Sequence, residues 1–163
     1  MRFVLRERVF GIGEDFWVED EAGERVFLVD GKALRLRQTF ELKGPGGEVL
    51  AVIRKKMVAI RDTMVVERDG ETVAKVHRKL FSPLRHKMLI ELADGQEWTA
   101  SGDLIEKNYE IEGDEGVVAQ TSRKWFRIRD TYGVEVHHPD VPLVLAVAVA
   151  VDELAADERR EDD

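Results

Sequence analysis

Residues 137–161 read HHPDVPLVLAVAVAVDELAADERRE, and where this stretch goes decides the fold. From Val141 to Val151 it has no polar side chain, while the residues after it are almost all charged. A helix crossing a bilayer needs about 20 apolar residues, and this run has eleven. Val is abundant enough for a buried strand, but Ala alternates with it and DELAADERRE continues with strong helix formers. Asp140 is a natural N-cap, and Pro142 falls in the first turn, where a missing N–H costs little. The segment therefore predicts a helix from about Val141 to Ala156. Being apolar all round, its first three turns must be enclosed on every side. An open sheet covers only one side, whereas a sheet closed into a barrel surrounds a rod and leaves no exposed edges. Burying the seven Val and Leu side chains of the run contributes on the order of 10 to 20 kcal/mol, before conformational entropy is subtracted.

The rest of the chain can supply such a barrel. A short pattern recurs, an aliphatic residue followed by polar ones and then a large apolar residue: IGEDF at Ile12, LRQTF at Leu36, IRDTM at Ile60, LRHKM at Leu84, IEKNY at Ile105 and IRDTY at Ile128. Successive copies begin 24, 24, 24, 21 and 23 residues apart. The best pair, KKMVAIRDTMVVE and RKWFRIRDTYGVE, agrees at seven of thirteen positions. In the first five copies an alternating apolar and polar run leads to Gly23, Gly47, Gly70, Gly95 and Gly116, and a second extended run follows. Asp69-Gly70 and Asp94-Gly95 have the chemistry of tight primed turns, which need positive φ. Each unit of about 24 residues reads as a β-hairpin. Five hairpins, the lone TYGVEV strand of the sixth unit and the leading MRFVLRERVF make twelve strands. Eight strands leave an interior that side chains fill, so twelve suits a helix about 10 Å wide. The expected fold is mainly β, a twelve-stranded closed antiparallel barrel around a C-terminal helix. Residues 1–156 form one domain and 157–163 a charged tail, expected to be disordered.

Composition narrows the function classes. The 163 residues carry 25 Lys and Arg against 33 Asp and Glu, a net charge of −8. Between Ala51 and Ile90 there are ten basic and four acidic residues, +6, which leaves −14 for the remainder. That balance disfavours nucleic acid as a partner and leaves room for a local anion-binding face. Cysteine is absent, which excludes disulfides, thiolate metal sites and cysteine nucleophiles. Arg2, Arg6, Glu7 and Arg8 interrupt the apolar residues of the N-terminal stretch, so a signal-peptide core is not expected. The expected location is cytoplasmic, with peripheral membrane attachment allowed.

Catalytic signatures are missing. Ser82, Ser101 and Ser122 stand in no nucleophile elbow, GPGG at Gly44 is a turn without the lysine and helix of a phosphate loop, and GIGEDF lacks the third glycine of a dinucleotide fingerprint. His137, His138 and Asp140 offer metal-ligand chemistry, but adjacent residues of an extended turn point apart and Asp140 is better used as a cap. His77 and His86 lie in basic strands, and EIEGDEG lacks the ligand spacing of a calcium loop. No enzyme activity, cofactor or metal is expected. The remaining candidate is basic: Arg54, Lys55 and Lys56 end one strand, and Arg78 and Lys79 end another one repeat later. Together they could hold phosphate groups, with Phe81 and Leu84 dipping into a bilayer interface. Arg123-Lys124 recurs at the same repeat position, which equally suits solvated structural cations at a barrel rim.

The segments RFVLRERVFGIGEDFWVED, VDGKALRLRQTFEL, VIRKKMVAIRDTMVVERDG, KLFSPLRHK, SRKWFRIRDTYGVEV and LVLAVAVAVD give the chain, from Met1 to about Asp152, a resemblance to the LURP-one-related family. The resemblance implies the tubby C-terminal-like fold, a twelve-stranded barrel around a hydrophobic helix. Tubby domains bind phosphoinositides and related scramblase domains act on phospholipids. The stretch HHPD departs from the small, Gly-containing turn of that pattern. The resulting expectation is a non-enzymatic binding or scaffold module whose partner is an anionic phospholipid or membrane surface, or else a protein. The alternative is a scramblase-like or lipid-transfer protein.

Overall fold

The computed structural model describes residues 1–6, 15–31, 39–58, 61–78, 87–125 and 131–162, without the side chains of residues 57, 58, 61 and 157–162. Twelve strands, β1 (Arg2–Arg6), β2 (Phe16–Glu19), β3 (Arg25–Asp30), β4 (Thr39–Lys43), β5 (Val49–Val58), β6 (Arg61–Arg68), β7 (Glu71–Arg78), β8 (Lys87–Leu92), β9 (Glu97–Asp103), β10 (Asn108–Gly113), β11 (Gly116–Ser122) and β12 (Thr131–Val136), precede one helix, α1 (Val141–Asp162). Each strand pairs antiparallel with its sequence neighbours, and β1 pairs with β12, so the sheet closes on itself as a barrel.

The repeat explains both the hairpins and the interior. Gly23, Gly47, Gly70, Gly95 and Gly116 all have positive φ, as hairpin turns require. Asp69 joins Gly70 at φ 50°, giving the primed turn, whereas in Asp94-Gly95 only the glycine is left-handed. There Asp94 instead accepts the Gln96 N–H at 2.9 Å, so its side chain rather than its backbone shapes the turn. Four of the five hairpins carry a register shift just before the turn, and such bulges add the twist that closure needs. The large apolar residue of each repeat opens an even-numbered strand. Phe40, Met64, Met88, Tyr109 and Tyr132 are buried, and Phe16 packs against the same core.

The helix fills the barrel. Every side chain from Val144 to Asp152 is buried, and so are Leu154 and Ala155. Its backbone lies against β5, β6 and β7, with lighter contact to β12. Asp140 caps it as expected: Oδ1 accepts the Leu143 N–H at 3.3 Å. The helix ends later than the sequence predicts, at Asp162 instead of about Ala156, so residues 157–162 of the segment read as a disordered tail are helical. Glu158, Arg159, Arg160 and Glu161 are good helix formers and simply extend a helix already nucleated inside the barrel.

The antiparallel order gives the barrel two unlike mouths. All five hairpin turns and the start of α1 lie at one, the entry mouth. The opposite strand ends, the turn between Asp103 and Lys107 and the emerging helix lie at the other, the exit mouth.

Candidate functional site

The predicted basic residues do reach one mouth, because β5 and β7 both end at the exit. They do not form a single clamp. Alternation along a strand sends neighbours to opposite faces, and Lys55 shares the inward parity of Ala51 and Ile53, while Arg54 and Lys56 face outward. Outside, Arg54 and Lys56 both bind Glu67, at 3.3 and 3.4 Å. Inside, Lys55 pairs with Asp62 at 3.5 Å. Arg78 also points inward, and its Nη2 donates to the Leu154 carbonyl of α1 at 3.3 Å. The bond ties the end of β7 to the backbone of α1 where the helix leaves the barrel. Arg78 is thus a helix-anchoring residue, not part of an outer headgroup clamp. Lys79, with Phe81 and Leu84, lies outside the described residues.

Arg123 and Lys124 continue the basic rim at the end of β11. The Arg123 Nε donates to the Glu106 carbonyl at 3.0 Å, and Lys124 is exposed. The entry mouth is acidic. Asp20 and Glu21, Glu48, Asp69, Asp94, and Asp114 and Glu115 place at least one carboxylate at each of the five turns. The net charge of −8 is therefore uneven along the axis: among the described residues the entry turns carry carboxylates throughout, whereas at the exit Lys55, Lys56, Arg123 and Lys124 stand beside Asp62, Asp103, Glu106 and the acids that end α1.

His137 and His138 do not converge. The His138 Nδ1 accepts the Asp140 N–H at 3.0 Å and its ring packs edge-on to Trp98, whereas the His137 Nε2 lies 3.6 Å from Glu135. Among the described residues no group of three or more His, Asp or Glu could hold a metal ion. Nor is any helix among them long and apolar enough to cross a membrane.

Just inside the exit mouth stands a cluster that the sequence reading overlooks. Asp152, on α1, is only 8% exposed. The Tyr132 hydroxyl donates to its Oδ2 at 2.6 Å and the Tyr109 hydroxyl to its Oδ1 at 3.0 Å. Lys107 places its Nζ 4.6 Å from the centre of the Tyr132 ring. Its backbone takes a positive φ of 57° in the turn before β10, and its carbonyl accepts the Thr121 hydroxyl at 2.9 Å. Burial lifts the Asp152 carboxyl above the usual carboxylate range, outweighing the opposite pull of Lys107, the two tyrosines and Arg123. Burial also lowers the Lys107 amine and pushes both tyrosines well up, so the phenols remain donors. The signal was present in the repeat, whose large apolar residue is Phe, Phe, Met, Met, Tyr, Tyr. Two buried hydroxyls require an acceptor, and Asp152 is the first polar residue after the apolar run.

A model of the LURP-one-related family matches residues 1–152, essentially the whole barrel and the buried part of the helix. The chain belongs to the LURP-one-related family. An X-ray structure of an Arabidopsis thaliana protein superposes with a TM-score of 0.66 over 94% of this chain and 91% of that one, at 16% identity, and so shares the fold. No curated protein matches the chain. With α1 filling the interior of this LURP-one-related barrel, the mouths and the outer wall are the surfaces it presents.

Proposed function

We propose that this LURP-one-related barrel is a non-enzymatic binding module that turns its exit mouth, the end away from the acidic hairpin turns, toward anionic phospholipid headgroups. The observation that carries the reading is the axial separation of charge. A body that is acidic at one end and carries outward cations toward the other is oriented in the field of an anionic surface, less acidic end inward, even when its net charge is negative. Lys55, Lys56, Arg123 and Lys124 stand at that end. Because Glu67 already engages both Arg54 and Lys56, the contact is better read as diffuse than as a pocket for one headgroup. The reading places the protein at the cytoplasmic face of a membrane, peripherally bound. Lipid transfer or scrambling receives less support, since an acyl chain needs a lumen and α1 fills this one.

Flotation with neutral and with phosphatidylserine-containing vesicles tests the reading. Capture should require the anionic lipid and fade with salt. Replacing Lys56 and Lys124 by Gln should weaken it about 30-fold in all, at roughly 1 kcal/mol per cation near the surface. Reversing Asp94 and Glu115 at the entry mouth to Lys should leave the exit-mouth contact in place. Capture that ignores headgroup charge, or none at low ionic strength, sinks the proposal.

A further inference from the structure

The buried run of α1 is mechanically smooth. Val144 to Val151 consists of Val, Ala and one Leu, all buried, and apolar contact is non-directional. Sliding such a rod by one turn, about 5.4 Å, exchanges Val and Ala for Val and Ala and changes little except local fit. Something else must select one position. At the entry, Arg68 binds Asp140 with two contacts of 2.8 and 2.6 Å, but both side chains remain partly exposed, at 27% and 34%, and water can replace either partner. At the exit, Arg78 donates to the Leu154 carbonyl at 3.3 Å, but a backbone carbonyl recurs at every residue of the helix and selects no register by itself, whereas Asp152 is held by two rigid phenols inside the barrel. The two tyrosines come from β10 and β12, whereas the helix backbone leans chiefly on β5, β6 and β7. The contact therefore fixes the rod along its axis, in rotation and against its wall.

Stability is a poor reason for this arrangement. A buried carboxylate is costly to desolvate, and its replacement together with its partners by apolar groups of like shape is often neutral or stabilising. We infer that the contact of Asp152 with Tyr109 and Tyr132 is a register pin: it selects one axial and rotational position of α1 and thereby which helix residues emerge at the exit mouth, without adding to stability. The inference does not depend on headgroup binding.

Because the chain has no cysteine, a pair of introduced cysteines can be spin-labelled uniquely. Suitable positions are Val49, exposed near the entry end of β5, and Ala156, exposed where the helix leaves the exit. In the full chain with native Asp152, pulsed electron resonance should give one narrow distance. With Asp152→Leu, and with Asp152→Leu combined with Tyr109→Phe and Tyr132→Phe, the distribution should broaden or divide, with a component displaced by about 5 Å. The melting temperature of the triple variant should equal or exceed that of the parent. A single unchanged distance in the folded triple variant overturns the pin. So does a triple variant that melts far lower or fails to fold, because the contact would then be supplying stability.

Discussion

Asp140 and Asp152 sit at the two ends of the same buried rod, and their surroundings invert their chemistry. Asp140 is partly exposed at the entry mouth, where the Arg68 guanidinium holds its carboxyl below the usual range. Asp152 is enclosed at the exit mouth, where burial lifts it above that range. An exposed carboxylate can be both cap and ion-pair partner at little desolvation cost. An enclosed one survives only where donors have been built around it, and those donors then fix its position. Among the described residues, Asp140 at the cap and Asp152 within the helix mark two places where α1 sets charge against the barrel, one at each mouth.

The most drastic way to break that contrast is to place a carboxylate inside the rod without donors. Leu145→Asp, at a position with no exposure, should abolish folding, since an uncompensated buried charge costs several kcal/mol out of a stability of roughly 5 to 15. Loss of the cooperative thermal transition is the readout. A folded variant with near-parent stability would mean that the rod is not sheathed as described. Next in size is the entry contact. Arg68→Ala should cost about 1 to 2 kcal/mol by removing a partly exposed ion pair and loosening the cap, and Asp140→Ala about the same. Denaturant midpoints measure both.

The pH dependence sharpens the comparison because the two carboxylates act with opposite sign. The folded pKa of Asp140 is depressed, so its contribution is full above its unfolded value, near 3.9, and is lost as pH falls through the folded value. The folded pKa of Asp152 is raised, so its contribution is full below about 3.9 and is lost as pH rises through the folded value. Melting temperatures across pH should show Asp140→Asn flattening the acid limb and Asp152→Asn flattening the limb above it. Identical profiles for the two variants would remove the inversion.

How far the sequence carries the fold can be read from the same helix. Val141 to Val151 demanded enclosure, and the 24-residue repeat supplied the enclosing hairpins, because both are patterns of apolar burial that periodicity records. The twelve strands, the closed order, the cap at Asp140 and the glycines of positive φ all followed. The site was harder. Arg54, Lys55 and Lys56 are contiguous in sequence, but pleating divides them between two faces, and their partners Asp62 and Glu67 lie on the next strand. Asp152 was hidden for a different reason. Its partners stand 43 and 20 residues away, and a single acid after an apolar run looks like the beginning of a solvated tail. Contacts that depend on which side chains meet across a barrel leave no periodic trace.

The smallest stability effect in this set belongs to Glu67, which lies near the entry end of β6 and draws the Arg54 and Lys56 side chains back along the outer wall. Its carboxylate lies between Arg54 and Lys56, which are 38% and 46% exposed. Exposed pairs of this kind contribute about 0 to 1 kcal/mol, so Glu67→Gln should leave the melting temperature almost unchanged. Binding should respond more. Removing one negative charge beside two cations frees them to reach an anionic surface and raises the attraction by roughly 1 kcal/mol, about fivefold in vesicle capture at low salt, and the gain should vanish as salt screens it. A variant that keeps its stability and its vesicle affinity alike would show that the outer cations of β5 face away from the contact, leaving Lys55, Arg123 and Lys124 to carry it.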